Sequence, residues 1–324
     1  MKKQLFVLGL AVAALASCTN EEVTDIAESN VIGFNAPFVG NVTKVATEMS
    51  KDNLASFYVY AYKGSDALLT NENVYLQNGL WAYDNIKQYE SATYAFAAYS
   101  NTGTQKGQGG LDDGNVTFTT SPSKSLAISD YTASGDDDLL VSISPDDLSA
   151  ANKKVDFTFN HALSMIKFTI KSGLGNGQKL SITEFEVEAD KIQNKGDMTY
   201  TDAGAAWTLD SPASYAGLNV VDAMEATTET PAESAIFTVI PQTVSGGFNI
   251  SFTATIVTTD GTAQIIEKNF TASVPETAWE DGMRYNYITT ITGINMDVIE
   301  FNQPEVTAWD DADDTDTTLQ PASN

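Results

Sequence analysis

The stretch "KVDFTFNHALSMIKFTIK", residues 154–171, carries the pattern that decides the fold. Much of it alternates between polar and apolar residues, and Val, Ile, Thr and Phe are frequent, as expected of a half-buried β-strand. Similar short runs lie on both sides of it, separated by Gly, Asn, Asp and Pro. No stretch of a dozen residues keeps a convincing helical period. The sequence therefore predicts an all-β protein.

The predicted strands fall into two groups of about seven. The first group comprises this stretch and the runs at 31–40, 56–62, 73–83, 93–100, 115–120 and 138–144. The second comprises 179–190, 196–201, 205–210, 234–242, 247–259, 264–274 and 284–294. A glycine-rich segment, "SGLGNGQ" (172–178), separates the groups and predicts a hinge near Gly175. We therefore expect two immunoglobulin-like β-sandwich domains in series, residues 31–174 and 175–309.

The N-terminus has the composition of a bacterial signal peptide. Lys2 and Lys3 precede an apolar run that is well short of the roughly 20 residues a spanning helix needs. The segment "LASC" (15–18) resembles the lipobox of lipoproteins, in which the cysteine becomes the acylated N-terminus. We therefore predict that residues 1–17 are removed and that Cys18 is lipidated. The alternative is an ordinary secretory signal in which Cys18 has no special role.

Charge limits the partners that this chain can bind. The formal net charge is -26 at pH 7 and the pI is about 4.1. Nucleic acid and anionic membrane surfaces repel such a chain, so neither is an expected partner. The lipid on Cys18, rather than the protein surface, would then attach the protein to the outer membrane. Residues 18–30 are predicted to be an acidic tether, and residues 310–324 an acidic tail.

Little in the sequence points to catalysis. The only histidine, His161, lies in the apolar strand quoted above, where a core or edge histidine is expected rather than a general base. With the only cysteine committed to lipid, Cys/His catalysis and zinc sites of the His₂ or cysteine-rich kind are excluded. The acidic clusters at 135–140 and 309–318 lack the features of an EF-hand loop and are expected to be solvated. Paired carboxylates stay an open alternative, but no enzyme activity, cofactor or metal is predicted.

Five segments together resemble one protein family. They are "TKVATEMSKDNLASFYVYAY" (43–62), "FNHALSMIKFTI" (159–170), "FTVIPQTVSGGFNISFTATI" (237–256), "WEDGMRYNYITTI" (279–291) and "VTAW" (306–309). In this order, behind a lipobox, they resemble the fimbrillin family of Bacteroides-type bacteria. The resemblance implies export as a lipoprotein, two transthyretin-like β-sandwich domains, and assembly into surface pili with neighbouring pilin subunits as partners.

The resemblance also implies a route of assembly. In that family a trypsin-like protease removes the first strand after a basic residue, and a strand from a neighbouring subunit fills the exposed groove. Residues 31–42 fit such a first strand, because Ile32, Phe34, Ala36 and Phe38 would share one face. Removing this strand would leave unpaired backbone groups and an open core, which an added strand restores.

Lys44 is the predicted cleavage point, with Val45 as the new N-terminus, and Lys51 is a second candidate. The only arginine, Arg284, lies in a late strand, so an arginine-specific protease could not activate this chain at its N-terminus. Either a lysine-tolerant protease acts at Lys44, or the subunit stays uncleaved as a lipid-held anchor. Near the other end, residues 293–309 are expected either to pair within their own domain or to act as the donated strand.

The leading hypothesis is a structural pilus subunit of the cell surface, delivered as an outer-membrane lipoprotein and incorporated into a fimbrium. The alternative is a monomeric surface lipoprotein that acts as an adhesin. In that case the aromatic residues of "NGLWAYD" (78–84) or "AAWTLD" (205–210) would bind a glycan or a host or bacterial surface protein, although a strand tryptophan is more often part of a core.

Overall fold

A computed structural model describes most of the chain between residues 30 and 309. The described ranges are 30–39, 49–112, 114–144, 147–149, 154–175, 177–210, 214–215, 218–220, 222–258, 260–261, 263–292 and 299–309. The predicted signal peptide and acidic tail, Cys18, Lys44 and Val45 lie outside the described residues.

The described residues form β-strands and one 3₁₀ turn, Ala189–Lys191, so the predicted all-β class is confirmed. Strands β1 to β11 are Gly33–Phe34, Phe38–Val39, Ser56–Lys63, Asp66–Gln77, Leu80–Tyr83, Tyr94–Asn101, Val116–Thr119, Ser125–Thr132, Leu139–Ile143, Lys154–Val155 and Thr158–His161. Strands β12 to β23 are Ser164–Ser172, Gln178–Val187, Lys195–Thr201, Gly204–Leu209, Leu218–Val220, Met224–Ala226, Ala232–Glu233, Phe237–Val239, Phe248–Thr258, Gln264–Val274, Met283–Ile291 and Glu305–Ala308. Within the described part of the chain, no helix has the length and apolar character needed to cross a membrane.

Turn chemistry explains where these strands reverse direction. The β4–β5 hairpin closes through Asn78 and Gly79, and both residues have positive φ, 52° and 79°. A two-residue hairpin turn of this kind requires positive φ at both positions, and Asn-Gly adopts it at least cost. Leu80 is thereby placed opposite Gln77, and β5 becomes an edge of its sheet.

The N-terminal strands form a seven-stranded sheet in the order β2-β11-β9-β6-β3-β4-β5. Both faces of its central strands β6 and β9 are buried. In the neighbouring β3, Phe57 and Val59 belong to a smaller core cluster, whereas the next residue, Tyr60, belongs to a larger one. Alternation along a strand places successive side chains on opposite faces, so a sheet covered on both sides needs apolar residues at nearly every position.

Strand pairing crosses the predicted domain boundary near Gly175 in two places. Strand β12, which precedes the glycine-rich segment, pairs in parallel with β22 and antiparallel with β18 and β19. Strands β14 and β15 pair onto β8 and β7, forming the four-stranded sheet β15-β14-β8-β7. The larger core cluster likewise contains residues from both predicted domains. The division at 174/175 thus does not separate the sheets, and the number of domains stays a prediction.

Candidate functional site

The first residues of the described chain lie in a slot between two other segments. On one side, Ile32 N–H donates to the Lys87 carbonyl over 2.9 Å, and Tyr89 N–H donates to the Asn30 carbonyl over 2.6 Å. Val31 forms an antiparallel bridge with Gln88 between them. Residues 30–32 are therefore held along one edge by residues 87–89.

The opposite side of this first segment, residues 30–39, is held by β10 and β11. Strand β1 pairs in parallel with β10, and β2 pairs in parallel with β11. Asn35 N–H donates to the Val155 carbonyl over 3.0 Å, and Phe38 N–H donates to the Phe157 carbonyl over 2.9 Å. The first segment thus closes a gap between residues 87–89 and residues 154–159, with backbone partners on both of its sides.

Apolar side chains anchor the first segment in the smaller core cluster. Ile32, Phe34, Pro37 and Val39 are buried, and Phe34 is only 4% exposed. The Phe34 ring lies 5.4 Å from Tyr83 and 6.1 Å from both Phe57 and Phe157, measured between ring centroids. Burying such a side chain contributes roughly 1.5–3 kcal/mol.

Two of the four residues predicted to share the buried face of this segment are exposed. Ile32 and Phe34 are buried as expected, but Ala36 is exposed and Phe38 is 57% exposed. The inward positions are instead Pro37 and Val39. The chain forms two short strands with residues 35–37 between them, and this interruption shifts the alternation by one residue. The buried positions therefore have the spacing 32, 34, 37 and 39.

Two polar groups fix the ends of the first strand. The Tyr83 hydroxyl donates to the Ile32 carbonyl over 2.8 Å and accepts from Lys87 N–H over 3.0 Å. Asn35 Nδ2 donates to Asp156 Oδ1 over 2.6 Å. Burial raises the pKa of the Tyr83 hydroxyl, so it stays protonated and able to donate across the physiological range.

Tyr89 contributes a second buried hydroxyl beside the slot. Burial raises its pKa from 10.0 to about 12, with smaller contributions from Tyr83 and Tyr94. Its hydroxyl has no hydrogen-bond partner among the described residues. The ring itself packs edge-on against Tyr94, with 5.0 Å between centroids, so Tyr89 acts here mainly through its apolar surface.

Of the two predicted cleavage points, only Lys51 lies in the described residues. Its side chain is exposed, but its backbone belongs to an ordered turn in which Leu54 N–H donates to the Ser50 carbonyl over 2.8 Å. Ser50 N–H in turn donates to Asn53 Oδ1 over 2.6 Å. Met49, just before this turn, is completely buried.

His161 is confirmed as a core histidine. It is 2% exposed, and its Nδ1 lies 2.8 Å from Oδ1 of the equally buried Asp138. The ring stacks on Trp309, with 4.1 Å between centroids and 9° between planes. Asp138 belongs to the acidic cluster at 135–140, which was expected to be solvated, and this expectation is wrong for Asp138. The sequence carried one signal for this contact. A single histidine in an apolar strand is expected to be buried, and a buried histidine needs a polar partner.

The two tryptophans of the aromatic stretches considered for ligand binding, Trp81 and Trp207, pack against other aromatic side chains. Trp81 lies against Phe57 with 4.9 Å between centroids. Trp207 packs on Tyr131 at 5.5 Å, and its Nε1–H donates to the Ala162 carbonyl over 2.9 Å. Both indoles are thus engaged with the core. Within the described ranges, no group of three or more His, Cys, Asp or Glu residues is arranged to hold a metal ion.

The described part of residues 293–309 lies against its own chain. Ile299 and Phe301 are buried, and the Phe301 ring is 5.6 Å from Phe168. Strand β23 then pairs antiparallel with β22 along the edge of the β12-containing sheet. This is the first of the two arrangements that the sequence left open for these residues.

The fold and this site define a class of protein: an all-β chain whose first segment is inserted between two later segments and anchored by apolar side chains. The family model described as fimbrillin-like matches residues 43–309, and the chain belongs to that family. Membership indicates a fimbrial protein of the cell surface that contacts other pilin subunits.

A solved structure of a fimbrial protein supports the fold, and further solved structures were matched over a similar length. A fimbrial protein from Bacteroides vulgatus is 16% identical with a TM-score of 0.55, and the match covers 86% of this chain and 99% of that one. Candidate cell adhesion proteins from Bacteroides uniformis and Bacteroides ovatus are 18% and 14% identical, with TM-scores of 0.48 and 0.49. These two matches cover 86% and 87% of this chain, and 99% and 98% of theirs. No curated protein sequence is significantly similar to this chain.

Proposed function

We propose that this chain is a pilus subunit that is delivered as a lipoprotein through Cys18 and polymerises when its first segment is replaced by a strand of a neighbouring subunit. The observation that supports this most directly is the slot itself. The first segment has backbone partners on both sides and buries four side chains, yet only residues 40–48 connect it covalently to the other described residues.

The physical chemistry of an emptied slot favours refilling. Loss of the first segment would leave the carbonyls of Lys87, Val155 and Phe157 without their present donors. An unsatisfied buried polar group costs about 1–3 kcal/mol. Loss of the first segment would also uncover buried rings of the smaller core cluster, such as those of Phe57 and Phe157. A donated strand restores the hydrogen bonds and the apolar packing together, which is the physical basis of strand addition.

Lys44 is the better candidate for the activating cleavage. It follows Val39 by five positions, so a cut after it would release both β1 and β2 with the lipidated N-terminus. A cut after Lys51 would sever an ordered turn and would also remove Met49, a completely buried residue. Proteases need an accessible, locally unfolded backbone, which the turn at Lys51 does not offer.

Residues 294–301 have the apolar spacing that the slot requires. The first segment buries positions 32, 34, 37 and 39, and Ile294, Met296, Ile299 and Phe301 repeat the same intervals. This spacing is symmetric, so it does not decide whether a donated strand would run parallel or antiparallel to β10 and β11. Donation would require Ile299 and Phe301 to leave their present packing in the core.

The processing step is tested with the chain from Thr19 onward and a lysine-tolerant trypsin-like protease. The unchanged chain and a Lys51→Ala control should yield a Val45 N-terminus by mass spectrometry, followed by SDS-resistant multimers. Lys44→Ala should stay monomeric. Multimers of undiminished yield from Lys44→Ala, or a product that retains residues 31–44, would overturn the proposal. Glycan binding by the uncleaved monomer would instead favour the monomeric adhesin.

The donor is tested separately on cleaved protein. Ile294→Asp places a charge at a position equivalent to buried Ile32 in a parallel donated strand, or to buried Val39 in an antiparallel one. Asn295→Asp places the same charge at the neighbouring position, equivalent to Gly33 or to Phe38, neither of which is buried. We expect normal cleavage in both, with multimers lost only in Ile294→Asp. Equal multimer yields from both variants would show that another segment is donated.

A further inference from the structure

Four segments that are distant in the sequence meet at one buried aspartate, Asp138. Asp138 is completely buried, and its Oδ2 accepts a hydrogen bond from Met49 N–H over 2.6 Å. Its Oδ1 lies 2.8 Å from His161 Nδ1. Its backbone N–H donates to Thr102 Oγ1 over 2.9 Å, and its carbonyl accepts from Thr102 N–H over 3.0 Å. The carboxylate is therefore held on one side by the chain near residue 49 and on the other by the imidazole.

The imidazole carries this connection to the C-terminal strand. The His161 ring stacks face to face on the completely buried Trp309 ring. The indole Nε1 has no hydrogen-bond partner among the described residues, so packing and this stack hold the side chain in place. Trp309 N–H donates to the Gly282 carbonyl over 2.6 Å, and Gly282 N–H donates to the Leu163 carbonyl over 2.9 Å. Trp309 thus fastens the end of β23.

We propose that Asp138, His161 and Trp309 form a latch that couples the docking of residues 49–54 to the docking of residues 305–309. The physical reason is that a buried carboxylate tolerates the loss of a donor poorly, because a charge-assisted hydrogen bond contributes roughly twice as much as a neutral one. When the Met49 amide leaves, the carboxylate and the imidazole reorganise, and the stack beneath Trp309 is lost. Coupling between two sites is reciprocal, so loosening Trp309 also loosens Met49.

In a pilus subunit the latch would link processing to strand release, and this consequence rests on the proposed function. A cut after Lys44 leaves Met49 four residues from a free chain end, so Met49 loses its covalent link to the docked first segment. The latch then weakens, and with it the hold on the strand that follows residues 294–301. Residues 305–309 would be firmly docked before cleavage and released more readily after it.

Hydrogen–deuterium exchange of the uncleaved chain tests the coupling without requiring assembly. In Trp309→Ala, exchange at the Met49 amide should rise about tenfold or more. The matched control is Trp279→Ala, which removes another buried indole whose Nε1–H bonds to the Tyr287 hydroxyl over 2.9 Å rather than to a latch residue. Exchange at Met49 in the control should stay within about twofold of the unchanged chain.

The link between the two ends is tested with His161→Phe, which keeps a ring under Trp309 and removes the contact with Asp138. This variant keeps the core filled if Trp309→Ala fails to fold. It should speed exchange at Met49 while leaving the amides of 305–309 within about twofold. In the double variant Asp138→Asn,Trp309→Ala, the effect on exchange at Met49 should be smaller than the sum of the effects of the two single variants. Unchanged exchange at Met49 in Trp309→Ala and His161→Phe, or strict additivity in the double variant, would overturn the latch whether or not the chain polymerises.

Discussion

The Phe34 ring lies edge-on against the Tyr83 ring, with 5.4 Å between centroids and 75° between planes. The Tyr83 hydroxyl also donates to the carbonyl of Ile32, two residues before Phe34 in the same segment. One residue thus fixes the first strand through both an apolar and a polar contact. Substitutions at Phe34 and Tyr83 therefore measure most directly how strongly the first segment is held.

Phe34→Ala should destabilise the protein far more than Phe38→Ala. Phe34 is 4% exposed and contacts three rings, so its truncation should lower the free energy of unfolding by about 3–5 kcal/mol. Phe38 is 57% exposed in the same segment, and its truncation should change stability by about 0.5 kcal/mol or less. Urea denaturation measures both. Similar losses in the two variants would contradict the observed shift in alternation at residues 35–37.

Tyr83→Phe keeps the ring contact with Phe34 and removes only the hydroxyl. The Ile32 carbonyl and Lys87 N–H then lose a partner, at a cost of about 1–3 kcal/mol. Tyr75→Phe is the control, because its hydroxyl donates to the solvent-exposed Asp84 over 2.7 Å. Hydrogen exchange should accelerate at the amide of Ile32 in Tyr83→Phe alone. Equal acceleration in Tyr75→Phe would indicate a general rather than a local effect.

Tyr89→Phe should alter the dependence of stability on pH at the alkaline end. The folded-state pKa of Tyr89 is about 12 and the ordinary value is 10.0, so the unfolded chain releases this proton first. The stability that the neutral hydroxyl contributes is present below pH 10 and is lost as pH rises from 10 to 12. Unfolding of Tyr89→Phe at pH 8 and pH 11 should therefore differ less than that of the unchanged chain. An identical difference would show that Tyr89 does not titrate across this range.

Two glycines should respond to alanine in opposite ways. A Cβ at Gly103 would lie 2.0 Å from the Ser56 carbonyl oxygen, so Gly103→Ala forces the backbone apart and should cost about 1–3 kcal/mol. A Cβ at Gly175 would meet nothing within 4 Å, and its φ is not in the left-handed region. Gly175→Ala should be neutral or stabilise by about 0.4–1 kcal/mol through the unfolded chain. A marked loss of stability in Gly175→Ala would show that the predicted hinge needs glycine itself. Thermal unfolding measures both.

Sequence periodicity predicted many of the strands. Alternation in stretches such as 56–62 and 247–259 depends only on which side chains avoid water, and strands are present there. The run predicted at 73–83 instead divides into two strands at the Asn78-Gly79 turn, whose residues tolerate the positive φ that such a hairpin needs. The strand Ser125–Thr132 was not predicted. The resemblance to fimbrillins also rested on sequence alone, and the family match over 43–309 confirmed it.

The tertiary structure alone decided which strands pair with each other and which groups contact the buried polar side chains. Nothing in the pattern of β12 indicates that it pairs with β22, more than a hundred residues away, because many strands have similar apolar faces. Asp138 belongs to a run of three aspartates that looks solvated, yet the fold buries it beside His161 and Met49, which supply its hydrogen-bond contacts. Periodicity depends on each residue's contact with water, whereas pairing and the buried contacts of Asp138, His161 and Trp309 depend on which distant segments the whole chain brings together.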